Sequence, residues 1–311
     1  MTDSSQAVVR GAAAPPFFIV GAGRSGTTLL RLMLDAHPRL AIPPESHFVV
    51  GLQRRFGDVP GPEAVEALLA HPRFREWALD PGRVRRTLGA RAPASWAELF
   101  DAAFSLYAAQ HGKARWGDKT PDYARHLAKV RRIFPDARFV HLIRDGRDVA
   151  ASLARVPWYR GSVARAAHDW VKSVRRARTA GLRRDEYLEV RYEDLVADPE
   201  TALRRVCAHL GEEWSEAMLD YPDRAGEKVP ERRSVWHERT RRPVSDERVG
   251  AWRRELTPSD LWTFERVAGD LLDELGYGRA ARFSLRGAAA AAIRRAERYG
   301  RRAGRALGRG R

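Results

Sequence analysis

Gly21-Ala22-Gly23-Arg24-Ser25-Gly26-Thr27-Thr28 lies between an apolar run, Phe17-Phe18-Ile19-Val20, and a stretch of helical pattern that opens at Thr27. Small residues at such a junction let backbone N–H groups converge on an anion, and the start of the following helix adds partial positive charge. The spacing of Gly21 and Gly26 matches a Walker A loop, but Thr27 stands where that loop carries its lysine. An ATPase or GTPase is expected to keep that lysine and to place a metal-holding Asp after a later strand, and no convincing Asp follows one. Gly23, Ser25 and Gly26 shape the loop, Arg24 supplies a cation, and Thr27 and Thr28 supply hydroxyls. The expected ligand is a 5′-phosphate-like group, bound without a metal.

Three other segments carry residues suited to group transfer. Glu45, in Ile42-Pro43-Pro44-Glu45-Ser46-His47, is either a base or a surface carboxylate in a proline turn. His47 is a rival base, since an unperturbed imidazole titrates near neutral pH. Lys119, in Trp116-Gly117-Asp118-Lys119-Thr120-Pro121, is one of five lysines in a chain whose other basic residues are arginines, which hints at a need for a compact charge. It could equally pair with Asp118 or Asp122. Arg144-Asp145-Gly146-Arg147-Asp148 leads into a helix that carries Ser152, and Arg147 and Arg155 lie close by in sequence.

The elements that must position these residues follow a βα pattern. Residues 17–20, 138–143 and 187–192 read as buried strands, and helices are expected after Gly26, after Gly146, after Asp198-Pro199 and after Thr257-Pro258. Residues 57–112 read as mainly helical, with the best pattern from Trp96 to His111. Alternating strands and helices predict an α/β fold, a phosphate-loop-type parallel sheet flanked by helices. The expected organisation is a loose leader over residues 1–16, one domain over 17–278, and a basic Ala/Arg-rich tail over 279–311. Residues 50–112 are expected to form much of an acceptor pocket, with Trp77, Trp96, Phe100 and Phe104 belonging either to it or to the core.

Composition narrows the partners. The formal charge of +16 is concentrated at the end: eleven Arg and one Glu from Arg279 onward give +10, leaving +6 for the rest of the chain. A modestly basic body suits an anionic ligand and does not require nucleic acid. The tail could meet anionic lipid or an acidic partner, or stay solvated. A single cysteine, Cys207, allows no internal disulfide, and the first residues lack a signal-peptide pattern, so a cytoplasmic setting is expected.

With these segments in order, residues 17–278 resemble the sulfotransferases that use 3′-phosphoadenosine-5′-phosphosulfate (PAPS), with the tyrosylprotein and bacterial branches most similar. The resemblance rests on the Gly21–Thr28 loop, on Arg24 through Leu34-Asp35-Ala36-His37-Pro38 to Glu45, on Lys119-Thr120-Pro121, on Arg144 to Ser152, on Glu189-Val190-Arg191-Tyr192, and on the ending with Arg242-Pro243-Val244, Trp252 and Leu275-Gly276-Tyr277. It implies a glutamate base at Glu45, stabilisation of the bridging oxygen by Lys119, and a 3′-phosphate held by Arg144 and Ser152. It also implies that Arg242 touches the nucleotide. Tyr192 belongs either to the nucleotide site or to the core, Ser234 is a candidate to assist the transition state, and His47 is expected to contact the acceptor. The chain departs from the tyrosylprotein branch at His47, where that branch has an arginine, and this removes one support for a tyrosyl-peptide acceptor. The implied acceptor is a hydroxyl of unspecified class. A small-molecule kinase and a non-catalytic nucleotide-binding protein are the competing readings.

Overall fold

A computed structural model describes residues 14–88, 92–221 and 244–280. Arg242, Ser234 and the tail beyond Ala280 lie outside the described residues. Five parallel strands form one sheet in the order β2-β3-β1-β4-β5. They are β1 (Phe17–Gly21), β2 (Leu40–Ala41), β3 (Arg115–Lys119), β4 (Arg138–Ile143) and β5 (Tyr187–Arg191). β1 is central because Phe17 to Val20 are apolar on both faces, and both faces are covered. Phe18 and Val20 face an aromatic core, where Phe18 meets Phe134, Phe139 and Trp116. Phe17 and Ile19 face the other side and pack with α1 (Thr27–Ala36) and α11 (Pro199–Leu210).

The aromatic core is built by α2 (Phe48–Phe56), α3 (Pro62–Ala70), α4 (Pro72–Arg75), α5 (Pro81–Leu88), α6 (Trp96–Gln110) and α7 (Leu127–Ile133). α6 starts where the sequence places it. Ser95 accepts from the Glu98 amide, and Glu98 returns a carboxylate to the Ala94 amide. A third cluster joins α8 (Gly146–Ala154), α9 (Val163–Arg178) and the last long helix, α13 (Pro258–Glu274). Gly146 is required there, since a Cβ would lie 2.5 Å from the Trp170 ring and 2.6 Å from Phe264. Two short helices complete the frame, α10 (Tyr192–Ala197) after β5 and α12 (Trp252–Glu255) before α13.

Two sequence expectations change. β3 is a full strand whose five residues are all buried, although Arg115-Trp116-Gly117-Asp118-Lys119 has no apolar run. Its register sets Gly117 beside Phe17, whose ring fills the space a Cβ would need, and Lys119 beside Ile19. Tyr192 opens a helix instead of closing a strand.

One buried group ties the fold to pH. His141, in β4, is fully buried, and burial holds its pKa down to about 4. Tyr187 donates its hydroxyl to Glu189, so it accepts from His141 Nδ1 at 2.5 Å, and Nε2 has no hydrogen-bond partner among the described residues. A histidine kept neutral in the fold leaves stability intact above the unfolded pKa and withdraws it as pH falls toward the folded pKa. Acidifying from pH 7 to 5 should therefore cost the wild type up to about 2 kcal/mol more than His141→Asn. Denaturant unfolding of both proteins at the two pH values checks this, and parallel losses would remove His141 as the cause.

Candidate active site

The functional side chains stand at the carboxyl ends of the strands, at the point where the chain leaves β1 in one direction and later returns on its other side. Ligands of open α/β sheets bind in this crevice. A cleft of about 1100 Å³ opens here, lined by Gly21 to Arg24, Gly26 to Thr28, Glu45, His47, Arg144, Ser152 and Tyr192, with Ser25 buried behind the loop. These come from β1, from the turn after β2, from β4 with α8, and from the end of β5.

Sterics explain the loop. Gly21 approaches the Leu142 carbonyl so closely that a Cβ would sit 2.6 Å from its oxygen. Gly26 has φ +94° and faces Tyr192 with no room for a methyl group, which would lie 2.4 Å from the ring. Arg24 also adopts a left-handed conformation, at φ 72°, which an arginine holds only with strain. That turn brings its Nε to 3.1 Å from Ser152 Oγ, so the loop and α8 share one contact. Thr27 is buried, as is Ser25, whose hydroxyl has no hydrogen-bond partner among the described residues. Tyr192 lies under the Arg144 guanidinium, 4.3 Å from ring centroid to Cζ, and therefore holds two parts of the site at once.

Glu45 and Lys119 meet directly, through a short hydrogen-bonded ion pair between Oε1 and Nζ. Lys119 also donates to Thr28 Oγ1 at 3.2 Å, which puts its charge beside the phosphate loop. The alternative pairings of Lys119 do not occur. Asp118 is taken by Ser46 Oγ at 2.7 Å and by Thr120, and Asp122 faces Arg125. Burial lowers the Lys119 pKa, opposed by the Glu45 charge. Burial would raise that of Glu45, but the Lys119 charge and the His47 hydrogen bond outweigh it and hold the carboxyl well below the usual range. Glu45 is thus ionised at rest. His47 reaches its other oxygen at 2.8 Å, and against a carboxylate Nε2 must be the donor. His47 orients Glu45 in this state and has no Nε2 lone pair to offer as a base.

A second layer fixes this pair. Ser46 binds Asp118, Thr120 and Tyr123, and Tyr123 accepts from the Val49 amide. Trp77 donates to the Pro44 carbonyl at 2.9 Å. Asp118 is fully buried, and burial pushes its pKa up to about 6.

Other expectations need correction. Arg147 does not face the cleft. It is buried between Asp145 and Glu265, at 2.8 Å from each, in an ion-pair network that ties α8 to α13. Among the described residues of 50–112, only Arg73 lines the cleft, while Trp77, Trp96, Phe100 and Phe104 stack in the aromatic core. Lys119 itself lies buried behind Glu45 and Thr28, and the rest of the wall comes from residues 121–125, from 153–158 and from α9. Arg155 lines the cleft as the sequence allowed, and Arg248, which carried no sequence signal, joins it.

A glycine-rich loop at the head of a parallel sheet, with an ion-paired carboxylate and ammonium beside it, is an arrangement suited to group transfer. Comparison with known proteins specifies the family. Residues 15–216 match the sulfotransferase family, and the chain belongs to it. It is 32% identical over 289 residues to nodulation protein NoeE of Sinorhizobium fredii, covering 84% of this chain and 65% of that protein. It is 27% identical over 278 residues to protein-tyrosine sulfotransferase 1 of Danio rerio, covering 85% and 72%. Among solved structures, the sulfotransferase domain of the Synechococcus PCC 7002 olefin synthase superposes with a TM-score of 0.61 at 27% identity, over 83% of this chain and 94% of that one. The sulfotransferase domain from the curacin biosynthetic pathway shares the fold, with a TM-score of 0.55 at 20% identity, over 83% and 97%.

The loop geometry is testable without substrate. Gly26→Ala should lower unfolding free energy by about 1–3 kcal/mol, from the forced backbone and the Tyr192 clash together. Gly23→Ala, with open space at its Cβ, should stay within about 1 kcal/mol of wild type. Equal losses in the two variants, measured by denaturant unfolding, would contradict the packing of Tyr192 on the loop.

Proposed function

We propose that the protein moves a sulfuryl group from PAPS to an acceptor hydroxyl by direct in-line displacement. The observation that carries this reading is the Glu45–Lys119 pair, set at the mouth of a phosphate loop whose other side holds Arg144 and Ser152. Glu45 takes the acceptor proton as the acceptor oxygen bonds to sulfur. The bond from sulfur to the 5′-phosphate oxygen breaks, and 3′-phosphoadenosine 5′-phosphate (PAP) leaves. Lys119 supports the charge that grows on that oxygen, and Thr28 keeps the ammonium beside the loop.

The ion pair also suggests an order of events. A carboxylate neutralised by an ammonium is a weak base. A donor that draws Lys119 toward its bridging oxygen would leave Glu45 buried with less countercharge, and its basicity would rise. The acid limb of kcat/KM for the acceptor, at saturating donor, should then lie at higher pH than any limb of kcat/KM for the donor, which reports the free enzyme. Coincident limbs would contradict this order. The kinase reading is disfavoured by Thr27 in place of a loop lysine and by the Arg24–Ser152–Arg144 grouping, which suits a second phosphate. The non-catalytic reading is disfavoured by the direct contact of Glu45 and Lys119. A setting in the cytoplasm remains part of the proposal.

Donor identity is read by calorimetry. PAP should bind more tightly than AMP, with or without EDTA, and Arg144→Ala should lose about 2–5 kcal/mol of PAP affinity while keeping most of that for AMP. Equal affinity of the wild type for the two nucleotides would overturn the donor assignment. Roles are read by kinetics. Glu45→Gln should lower kcat by about 10²–10⁴ with donor binding retained. Lys119→Ala should lower it by about 10²–10³. His47→Asn should act more on the acceptor KM. A dead His47→Asn beside a nearly normal Glu45→Gln would reverse the two roles.

A further inference from the structure

Residues 248–252 are carried to the cleft by the Arg144 segment itself. Asp148 accepts from the amides of Gly250 and Trp252, each at 2.8 Å. Arg144 Nη2 donates to the carbonyl of Arg248 at 2.6 Å. The Arg147 guanidinium lies 4.0 Å from the Trp252 ring centroid. These contacts from one strand end and one helix start fix the path of the later segment, and Arg248 lines the cleft as a result.

Arg248 is not a surface arginine that happens to lie near. Its side chain is only 14% exposed. It is close enough to Arg24 to lower that residue's pKa, after burial and together with Arg144 and Arg155. Four guanidinium groups therefore line one end of the cleft. Asp148 lies 3.8 Å from Arg144, but its oxygens already accept two backbone amides. Glu247 also lines the cleft. Glu255 grips Arg248 in a two-pronged contact at 2.6 and 3.0 Å and reaches Arg155 at 3.4 Å. Arg144 Nε is buried and has no partner among the described residues. Such an arrangement has room for one more anion, and the fork that binds a carboxylate fits a phosphate equally well.

We propose that Arg248 is a donor-binding residue, taking the 3′-phosphate together with Arg144 and Ser152, and that Glu255 is a resident counter-ion exchanged for that phosphate. The proposal rests on the PAPS reading above. Glu255 sits on α12 with a quarter of its side chain in solvent, so it can release Arg248 without leaving a charge buried. The exchange explains why two arginines can wait at the cleft without repelling each other in the free protein, and why a 3′-phosphate is needed to draw them to the nucleotide.

Calorimetry with PAP and with AMP on the full-length protein tests the exchange. Arg248→Ala should weaken PAP by about tenfold or more and change AMP by less than about threefold, as expected for loss of one charge-assisted phosphate contact. Glu255→Gln should tighten PAP by about three- to tenfold, since the competing carboxylate is gone, and this gain should vanish when Arg248→Ala is already present. Arg253→Ala removes the same charge from the same segment, where Arg253 stacks on Trp252 outside the cleft, and should leave the PAP/AMP ratio unchanged. If the wild type prefers PAP but Arg248→Ala keeps that preference, or changes it no more than Arg253→Ala, the Arg248 assignment falls and the donor reading stands. If the wild type shows no preference for PAP, both fall. Weaker PAP binding by Glu255→Gln would overturn the exchange.

Discussion

A lysine ammonium buried at the end of a strand must have a counter-ion, and this constraint organises the site. Lys119 closes β3, where it is almost wholly removed from water. Without a partner its charged form would cost several kcal/mol, and the group would tend to lose its proton. Glu45 supplies the partner, but only because the turn after β2 is fastened to the end of β3. Ser46 fastens it, reaching Asp118 and Thr120 on either side of Lys119 and Tyr123 just beyond. The residue between the catalytic candidate and its orienting histidine is thus the one that secures the pair. The Glu45 carboxylate and the Lys119 ammonium stay adjacent because the fold cannot afford to bury the ammonium alone.

The other half of the cleft obeys a different constraint. Phosphate needs converging donors, and several arginines brought together repel unless something holds them. Here the holding is done by aromatic faces and carbonyls as much as by carboxylates. Tyr192 lies under Arg144 and against Gly26. Arg144 also donates to the carbonyls of Arg24 and Arg248. Such contacts fix a guanidinium without neutralising it, so its charge stays available to an incoming anion. Arg147 shows the contrast. Two carboxylates neutralise it, and it joins α8 to α13 and packs against Trp252.

What could be read from the sequence was what is local. The glycine loop announces itself because strand, turn and helix start are contiguous, and Arg144 with Ser152 because both lie on one strand end and the helix after it. Glu45 and Lys119 could be nominated from chemistry and resemblance, but their contact joins segments 74 residues apart and follows from the order of β2 and β3 in the sheet. β3 itself was hidden because burial there is achieved by pairing instead of by apolar side chains. Arg115 pairs with Glu212 and donates to the carbonyls of Pro15 and Leu210, although its Nη2 has no partner among the described residues; Asp118 pairs with Ser46, and Lys119 with Glu45. The helices between 50 and 112 misled in the opposite sense. From sequence the segment is expected to form much of a pocket, with its aromatic residues in that pocket or in the core, and they pack in a core under the sheet. Arg248 carried no signal at all, since its place depends on three contacts made by residues more than a hundred positions earlier.

Asp148 connects these levels. In the sequence it looks like half of a salt bridge with Arg144, and a weak one at 3.8 Å. Its stronger bonds go to the amides of Gly250 and Trp252, and burial raises its pKa against those bonds and the Arg144 charge. A buried carboxylate that accepts backbone N–H groups acts as a structural clamp, closing the later segment over the strand that precedes it. The same few residues after β4 therefore do two jobs. Arg144 and Ser152 face the cleft, while Asp148 and Arg147 hold the segment that brings in Arg248. Asp148 and Ser152 lie one turn apart on the same face of α8, so that face carries both the clamp and the contact with Arg24. One wall of the cleft and the closure of the fold around it are built from one stretch of chain, and a change that loosened the clamp would release Arg248 together with the buried Ala251 and Trp252.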